Sequence, residues 1–317
     1  MKPFNYLIPG TLDEAISMHE SHKGRAEYIA GGTDILIKIK ERKKSPDYLI
    51  SLKHILGQDR PFLNSHTGEL YIGAFITHRA IEKSAVVRRF YPVLHDAVKN
   101  IGSVQIRNAA TIGGNLVNAV PSADGAIPLV VLDAEANIYG AKGMRSIDLI
   151  HFFLGPGQTV LEKGEILTEI VVPPLLPRTG SAYIKFGRRK AMELPLLGVG
   201  VLISMDEDFS ECVKVRIGLG VAAPTPIRAF NAERFLTGKK VDEDTLTEAG
   251  GIAAEEARVR DSIRGVAWYR RELVGILVKR MGLKCLERAK NERPGGCLVY
   301  TSDAADESGR GGGGGGG

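Results

Sequence analysis

Cysteine is nearly absent from this chain. There are three, Cys212, Cys285 and Cys297, and no two stand close enough to make a C-x-x-C pair. That spacing excludes an iron–sulfur cluster or a cysteine-built zinc site within the chain. Histidines are scattered too: His19 and His22 form an i, i+3 pair on an expected helix, but without further ligands they read as a surface pair. No apolar run approaches the ~20 residues of a membrane span. The opening MKPFNYLIPGTLDEA lacks the basic-then-apolar build of a signal peptide, so a cytoplasmic chain is expected. Also missing is a basic stripe interleaved with aromatics. The formal charge is only +5 and Lys and Arg are spread along the chain, so nucleic acid is not an expected partner. The cluster Lys40, Arg42, Lys43, Lys44 reads as a solvated loop face.

What is present is enough apolar material for two packed domains: 317 residues, 44% of them hydrophobic. Thr11 and Glu14 form a T-x-x-E capping box that opens a helix running to about His22, after which Tyr28-Ile29 leads into AGGTD. Residues 33–40, TDILIKIK, alternate like a strand yet follow glycines as a helix start would, and periodicity leaves both open. PDYLISL and ELYIGAF read as strands, Thr77 to Ser84 and Pro92 to Ile101 as short helices, and LVVLDAEANIYG (residues 129–140) as a strand. Strands and helices mix without regular βαβ alternation, which predicts an α+β fold. Three prolines and a glycine between residues 171 and 181 mark a boundary. Beyond it come three strands, around Tyr183 to Phe186, Leu196 to Met205 and Val213 to Ala222, then a largely helical stretch from Asp242 to Arg288. The expected division is 1–176 and 177–290. Residues 294–317, ending in seven glycines, are expected to be a non-native or disordered tail in which Cys297 carries no functional weight.

Two stretches share a form: Ala30-Gly31-Gly32-Thr33-Asp34 and Thr111-Ile112-Gly113-Gly114-Asn115. Paired glycines let the backbone approach a ligand and let successive N–H groups point into one concavity, a neutral way to hold a diphosphate. The threonine hydroxyls and the Asn115 amide add donors. Either stretch alone reads equally as a tight turn. Gly218-Leu219-Gly220 also begins like a dinucleotide fingerprint, but Pro224 and Pro226 forbid the helix that fingerprint requires.

The block SVQIRNAATIGGNLVNAVPSADGAIPLVVLDA, residues 103–134, resembles the second FAD loop of the molybdenum hydroxylase flavoproteins of the xanthine dehydrogenase and carbon monoxide dehydrogenase group. YIAGGTDILIKIK resembles their first loop, and AYIKFGRRKAMELPLLGVGV with IGLGVAAPTPIRA resembles their C-terminal domain. The resemblance implies a two-part FAD-binding domain of the vanillyl-alcohol-oxidase/PCMH type, followed by a smaller α+β domain with a three-stranded antiparallel sheet and helices. It implies that Ala30, Gly31, Gly32, Thr33 and Asp34, with Thr111, Ile112, Gly113, Gly114 and Asn115, hold the diphosphate and ribityl chain of a non-covalent FAD. Asp124 would take hydrogen bonds from sugar or ribityl hydroxyls, with Ser122 assisting. Lys185 would lie by the N1/C2=O edge of the flavin; its alternative is a strand-surface lysine.

The sequence departs from the family pattern in places. Val104 stands where a proline is common, and Leu194 near where carbon monoxide dehydrogenases stack a tyrosine on the flavin. The chain runs from Asn118 to Asp124 without the Cys-rich insert of 4-hydroxybenzoyl-CoA reductases. The function implied is electron transfer: from [2Fe-2S] clusters on a small subunit, in a complex whose large subunit carries the molybdenum cofactor, through FAD to NAD+ or another acceptor. The alternatives are a self-contained flavoenzyme like UDP-N-acetylenolpyruvoylglucosamine reductase and a flavin-free assembly module.

Overall fold

The computed structural model describes residues 2–55, 59–189 and 191–291. The expected tail, residues 294–317, lies outside the described residues, as does Cys297. The chain begins with β1 (Asn5–Leu7), α1 (Leu12–Ser21), β2 (Ala26–Ile29), α2 (Ile35–Lys40) and β3 (Tyr48–Ser51). The three strands pair in parallel in the order β1-β3-β2. The capping box of α1 is half made. Thr11 Oγ1 accepts from the Glu14 amide at 3.1 Å, but the Glu14 carboxylate takes the Gly10 amide at 2.6 Å. The ambiguous TDILIKIK stretch is a helix, entered at Asp34, with Ile39 buried beneath it.

Next come the short strands β4 (Phe62–Leu63) and β5 (Leu70–Gly73) and a layer of six short helices. These are α3 (His78–Lys83), α4 (Ala85–Phe90), α5 (Pro92–Val98), α6 (Val104–Ala109), α7 (Ile112–Val117) and α8 (Ala126–Val131). Strands β6 (Glu135–Gly140), β7 (Gly143–Asp148), β8 (Phe153–Gly155), β9 (Gln158–Thr159) and β10 (Ile166–Val172) complete this part, giving a sheet of order β4-β5-β10-β6-β7 beside the β8-β9 hairpin. One expectation fails here. Leu129, Val130 and Val131 were expected to open a strand but form the end of α8, and the strand starts only at Glu135. A fully buried apolar run looks alike in both states; the switch is made at Asp133, which takes a left-handed φ of 52°.

The remainder is an antiparallel sheet of β11 (Thr179–Phe186), β12 (Leu197–Met205), β13 (Cys212–Gly220) and the two-residue β14 (Ile227–Arg228), in chain order. It is followed by α9 (Phe230–Leu236), α10 (Glu243–Glu256) and the 25-residue α11 (Ala267–Asn291). The sheet thus carries a short fourth strand beyond the three expected. All nine residues of β12 are buried, because α11 covers one face of the sheet and α5 and α8 approach the other. At Gly218 that approach is so close that a Cβ would lie 2.6 Å from Val131. We propose the division between domains in the segment from Pro173 to Arg178 that separates β10 from β11.

Two charged clusters join the helical layer to this remainder, one through the sheet and one through α11. Asp133 accepts from Lys214 at 2.8 Å, Arg216 at 2.8 Å and Arg228 at 2.9 Å, while Asp96 meets Lys99 at 2.7 Å and Arg288 at 2.8 Å. Asp133→Asn keeps the shape and the tolerance for positive φ but removes the charge from three cations. Urea unfolding is expected to show a loss of about 2 kcal/mol. An unchanged midpoint would mean that the cluster contributes nothing to joining the two parts.

Candidate functional site

The two glycine stretches meet. Gly31 lies so close to the end of α6 that a Cβ there would sit 2.1 Å from the Ala109 carbonyl oxygen, so only glycine allows the approach. Asn118 then ties the stretches together: its Nδ2 donates to Asp34 Oδ1 at 2.8 Å, and its Oδ1 accepts from Lys38 Nζ at 2.6 Å. Between them opens a cleft of about 320 Å³ lined by Ala30 to Asp34, Thr111, Gly114 and Asn115.

The stretches look alike in sequence but differ in their backbone bonds. Every amide from Ile112 to Asn115 is spent: Ile112 donates to Ile76 O, Gly113 to Ala74 O, Gly114 to Thr111 Oγ1 and Asn115 to Thr111 O. TIGGN is therefore no nest of free amides; it is the capped first turn of α7. Gly113 has a packing role, because a Cβ there would lie 2.6 Å from the Ala74 carbonyl oxygen. In the first stretch, by contrast, the amides of Gly31, Gly32, Thr33 and Asp34 have no protein partner among the described residues, and neither has the Thr33 hydroxyl. Gly32 holds this bend with a φ of 76°. A run of half-buried, unpartnered N–H groups is what an anionic cofactor requires.

One residue of the cleft escaped the sequence reading. His78, the first residue of α3, is fully buried against the cleft, and neither ring nitrogen has a partner among the described residues. Its backbone amide donates to Ala110 O at 3.0 Å, which fixes it between the two stretches. Burial, aided by the nearby Arg107 charge, pushes its pKa down to about 4, so the ring is neutral at pH 7 with one donor and one acceptor to offer. A buried polar group left dry costs about 1–3 kcal/mol. The residues therefore fit a ligand that brings both phosphate oxygens and hydrogen-bonding groups, as FAD does. Only the T-H dipeptide at an expected helix start could have flagged it, a signal too common to use.

The other expected site residues lie off this cleft. Ile112 and Gly113 are buried in α7. Asp124 Oδ2 pairs with Lys185 Nζ at 2.7 Å and its Oδ1 accepts from Tyr183 at 2.6 Å; Lys185 also donates to Asn100 O at 3.1 Å. Asp124 is buried and Lys185 nearly so, with 11% of its side chain exposed and its charge matched by Asp124, which is not the environment of a strand-surface lysine. Burial raises the Asp124 carboxyl above its ordinary value against the pull of Lys185 and Tyr183. Asn115 Oδ1 accepts from the Gly125 amide at 3.2 Å, linking the cleft to this pair. Ser122 lines a different cavity, and Leu194 a third, with Arg188 and Met192.

Residues 2–175 match the family described as the FAD binding domain in molybdopterin dehydrogenase, and residues 181–285 the CO dehydrogenase flavoprotein C-terminal domain. The xanthine dehydrogenase FAD-binding subunit of Escherichia coli O157:H7 is 32% identical over 279 residues, covering 87% of this chain and 94% of the relative. The carbon monoxide dehydrogenase medium chain of Hydrogenophaga pseudoflava is 29% identical, covering 87% and 95%. Among solved structures, carbon monoxide dehydrogenase from Hydrogenophaga pseudoflava superposes with a TM-score of 0.85 at 29% identity, covering 91% of this chain and 99% of that one. Quinoline 2-oxidoreductase from Pseudomonas putida 86 does so at 0.83 and 29%, with the same coverage.

His78 makes the fold acid-sensitive. Its folded pKa of about 4 lies below the ordinary 6.5, so between these values the unfolded chain binds the extra proton and stability is lost as the pH falls. By pH 5 the loss relative to pH 7 is expected to be about 2 kcal/mol. His78→Leu should remove that part of the pH dependence in urea titrations. An identical acid slope in variant and parent would place the proton uptake elsewhere.

Proposed function

The chain belongs to the FAD-binding medium subunits of the xanthine dehydrogenase and carbon monoxide dehydrogenase family. From that premise we propose that it is the electron-transfer subunit of a molybdenum hydroxylase, working between a [2Fe-2S] partner and NAD+ or another acceptor. It is thus a subunit of an oxidoreductase. The observation that carries the reading is the row of unpartnered amides from Gly31 to Asp34 facing His78 across one cleft. Bound there, FAD supplies a carrier that takes electrons singly and passes them on in pairs.

The chain's own residues then have separable tasks. The amides of Gly31, Gly32, Thr33 and Asp34 hold the diphosphate, and the Thr33 hydroxyl adds a donor. Gly114 and Asn115 form the facing wall, and His78 offers its neutral ring. Asp124, held by Tyr183 and Lys185, keeps a fixed charge pair near that wall. The Mo-binding large subunit and the [2Fe-2S] small subunit are the proposed partners. Among the described residues no helix is long and apolar enough to cross a membrane, and we place the complex in the cytoplasm.

Gly114→Val separates binding from folding. A Cβ at this position would stand 2.9 Å from Thr111 Oγ1, so the α7 cap must shift locally, and Gly114 itself lines the cleft. The variant should keep its far-UV spectrum and lose its FAD; full flavin absorbance after purification would remove this wall from the site. The subunit reading is tested by expression alone and with the neighbouring subunits. Alone, the chain should carry FAD that acid or heat releases completely, and should oxidise no organic substrate. Together, the three chains should co-elute on size exclusion with molybdenum, iron and flavin. A chain that stays separate, or that turns over an organic substrate unaided, is a self-contained flavoenzyme instead.

A further inference from the structure

A second cavity, of about 180 Å³, shares no residue with the glycine cleft. Arg258, Arg260, Arg264 and Arg270 line it together with Ser122 and Ser262. Arg270 is 3% exposed, and the only hydrogen bond of its guanidinium among the described residues runs from Nη2 to the Ser262 hydroxyl; its buried Nε has no partner. None of the four guanidinium groups forms an ion pair among the described residues; Arg258, Arg260 and Arg264 are exposed and Arg270 is buried. The one acid in this segment, Asp261, is committed to capping α11, where its Oδ1 accepts the Ala267 amide at 2.6 Å.

Burying a cation without a counter-charge is costly, and bringing further cations beside it raises the cost. Burial first, and then the charges of Arg264 and Arg260, push the Arg270 pKa below the ordinary arginine value against the weaker pull of Asp261. The positive end of the α11 helix dipole adds to the same field. The remaining wall is apolar and rigid: Val221, at a left-handed φ of 62°, is held by its amide bond to Pro121 O, and Pro224 follows. The cavity lining thus holds four cations and no acid. A monoanion would leave most of the field standing, whereas a tetrahedral dianion brings two charges and several acceptors to guanidinium forks.

We propose that this cavity binds a phosphate-class dianion, free or as the terminal phosphate of a small organic molecule whose body lies on the Val221–Pro224 wall. The site is independent of the FAD reading, since none of its donors lines the glycine cleft.

The test is calorimetric titration of the flavin-loaded full chain with inorganic phosphate, phenyl phosphate and acetate at low ionic strength. Saturable one-to-one binding of phosphate is expected, with acetate at least about tenfold weaker. Tighter binding of phenyl phosphate assigns the site to an organic phosphate, and equal binding to the free ion. Arg264→Gln, an exposed change, should weaken phosphate by about tenfold. Arg270→Met should abolish binding while melting no lower than the parent in phosphate-free buffer, because it removes a buried unpaired charge. Together the two variants assign the bound phosphate to this cavity and not to the glycine cleft. The proposal is overturned if phosphate does not bind saturably, if acetate binds as tightly, as it would where a partner's carboxylate is the natural occupant, or if Arg264→Gln leaves the affinity unchanged.

Discussion

The close approach of Gly31 to the Ala109 carbonyl is the contact on which the site depends. It sets the small parallel unit of β1–β3 against the helical layer at a distance that no side chain would permit. With the two backbones in place, Asn118 bridges Asp34 and Lys38, and the bend at Gly32 leaves four successive amides along the cleft without a protein partner among the described residues. The cleft is therefore a seam between two packed units. Its donors are fixed by main-chain geometry, so they are in place before the ligand arrives and little ordering is required on binding.

The two Gly-Gly pairs divide the work. The second builds: Thr111 caps α7, Gly113 lets that helix lie on Ala74, and every amide is consumed in doing so. The first leaves its amides over, and these are the proposed donors to the diphosphate. A site in which both loops donated would need two backbone segments with unsatisfied groups, and each such group costs about 1–3 kcal/mol wherever water is excluded. Concentrating the free donors in one half-buried bend, braced by a fully bonded partner, limits that cost. His78 is the exception, a buried ring without a partner, which the fold tolerates by keeping it neutral.

Much of this was legible in the sequence. The alternating strands, the Thr11 cap, the helix start at Thr77 and the proline-rich break after Val172 are local signals, and the mixed α+β class follows from them. So did the glycine stretches and, through the family resemblance, their cofactor. Three kinds of feature were hidden. Buried apolar runs such as Leu129 to Val131 carry no period that separates helix from strand. Partnerships across the chain, such as Asp124 with Lys185 or Asp34 with Asn118, exist only once the fold brings them together. The difference between two similar motifs depends on which amides already have acceptors: Ile76, Ala74 and Thr111 supply them to one loop, and nothing among the described residues supplies them to the other.

That difference is measurable amide by amide. Hydrogen exchange followed by NMR, with and without FAD, should show the amides of Gly31, Gly32 and Thr33 exchanging freely in the FAD-free chain and becoming protected on binding. Those of Gly113, Gly114 and Asn115 should be protected in both states. Protection gained at the second stretch, with the first unchanged, would contradict the account.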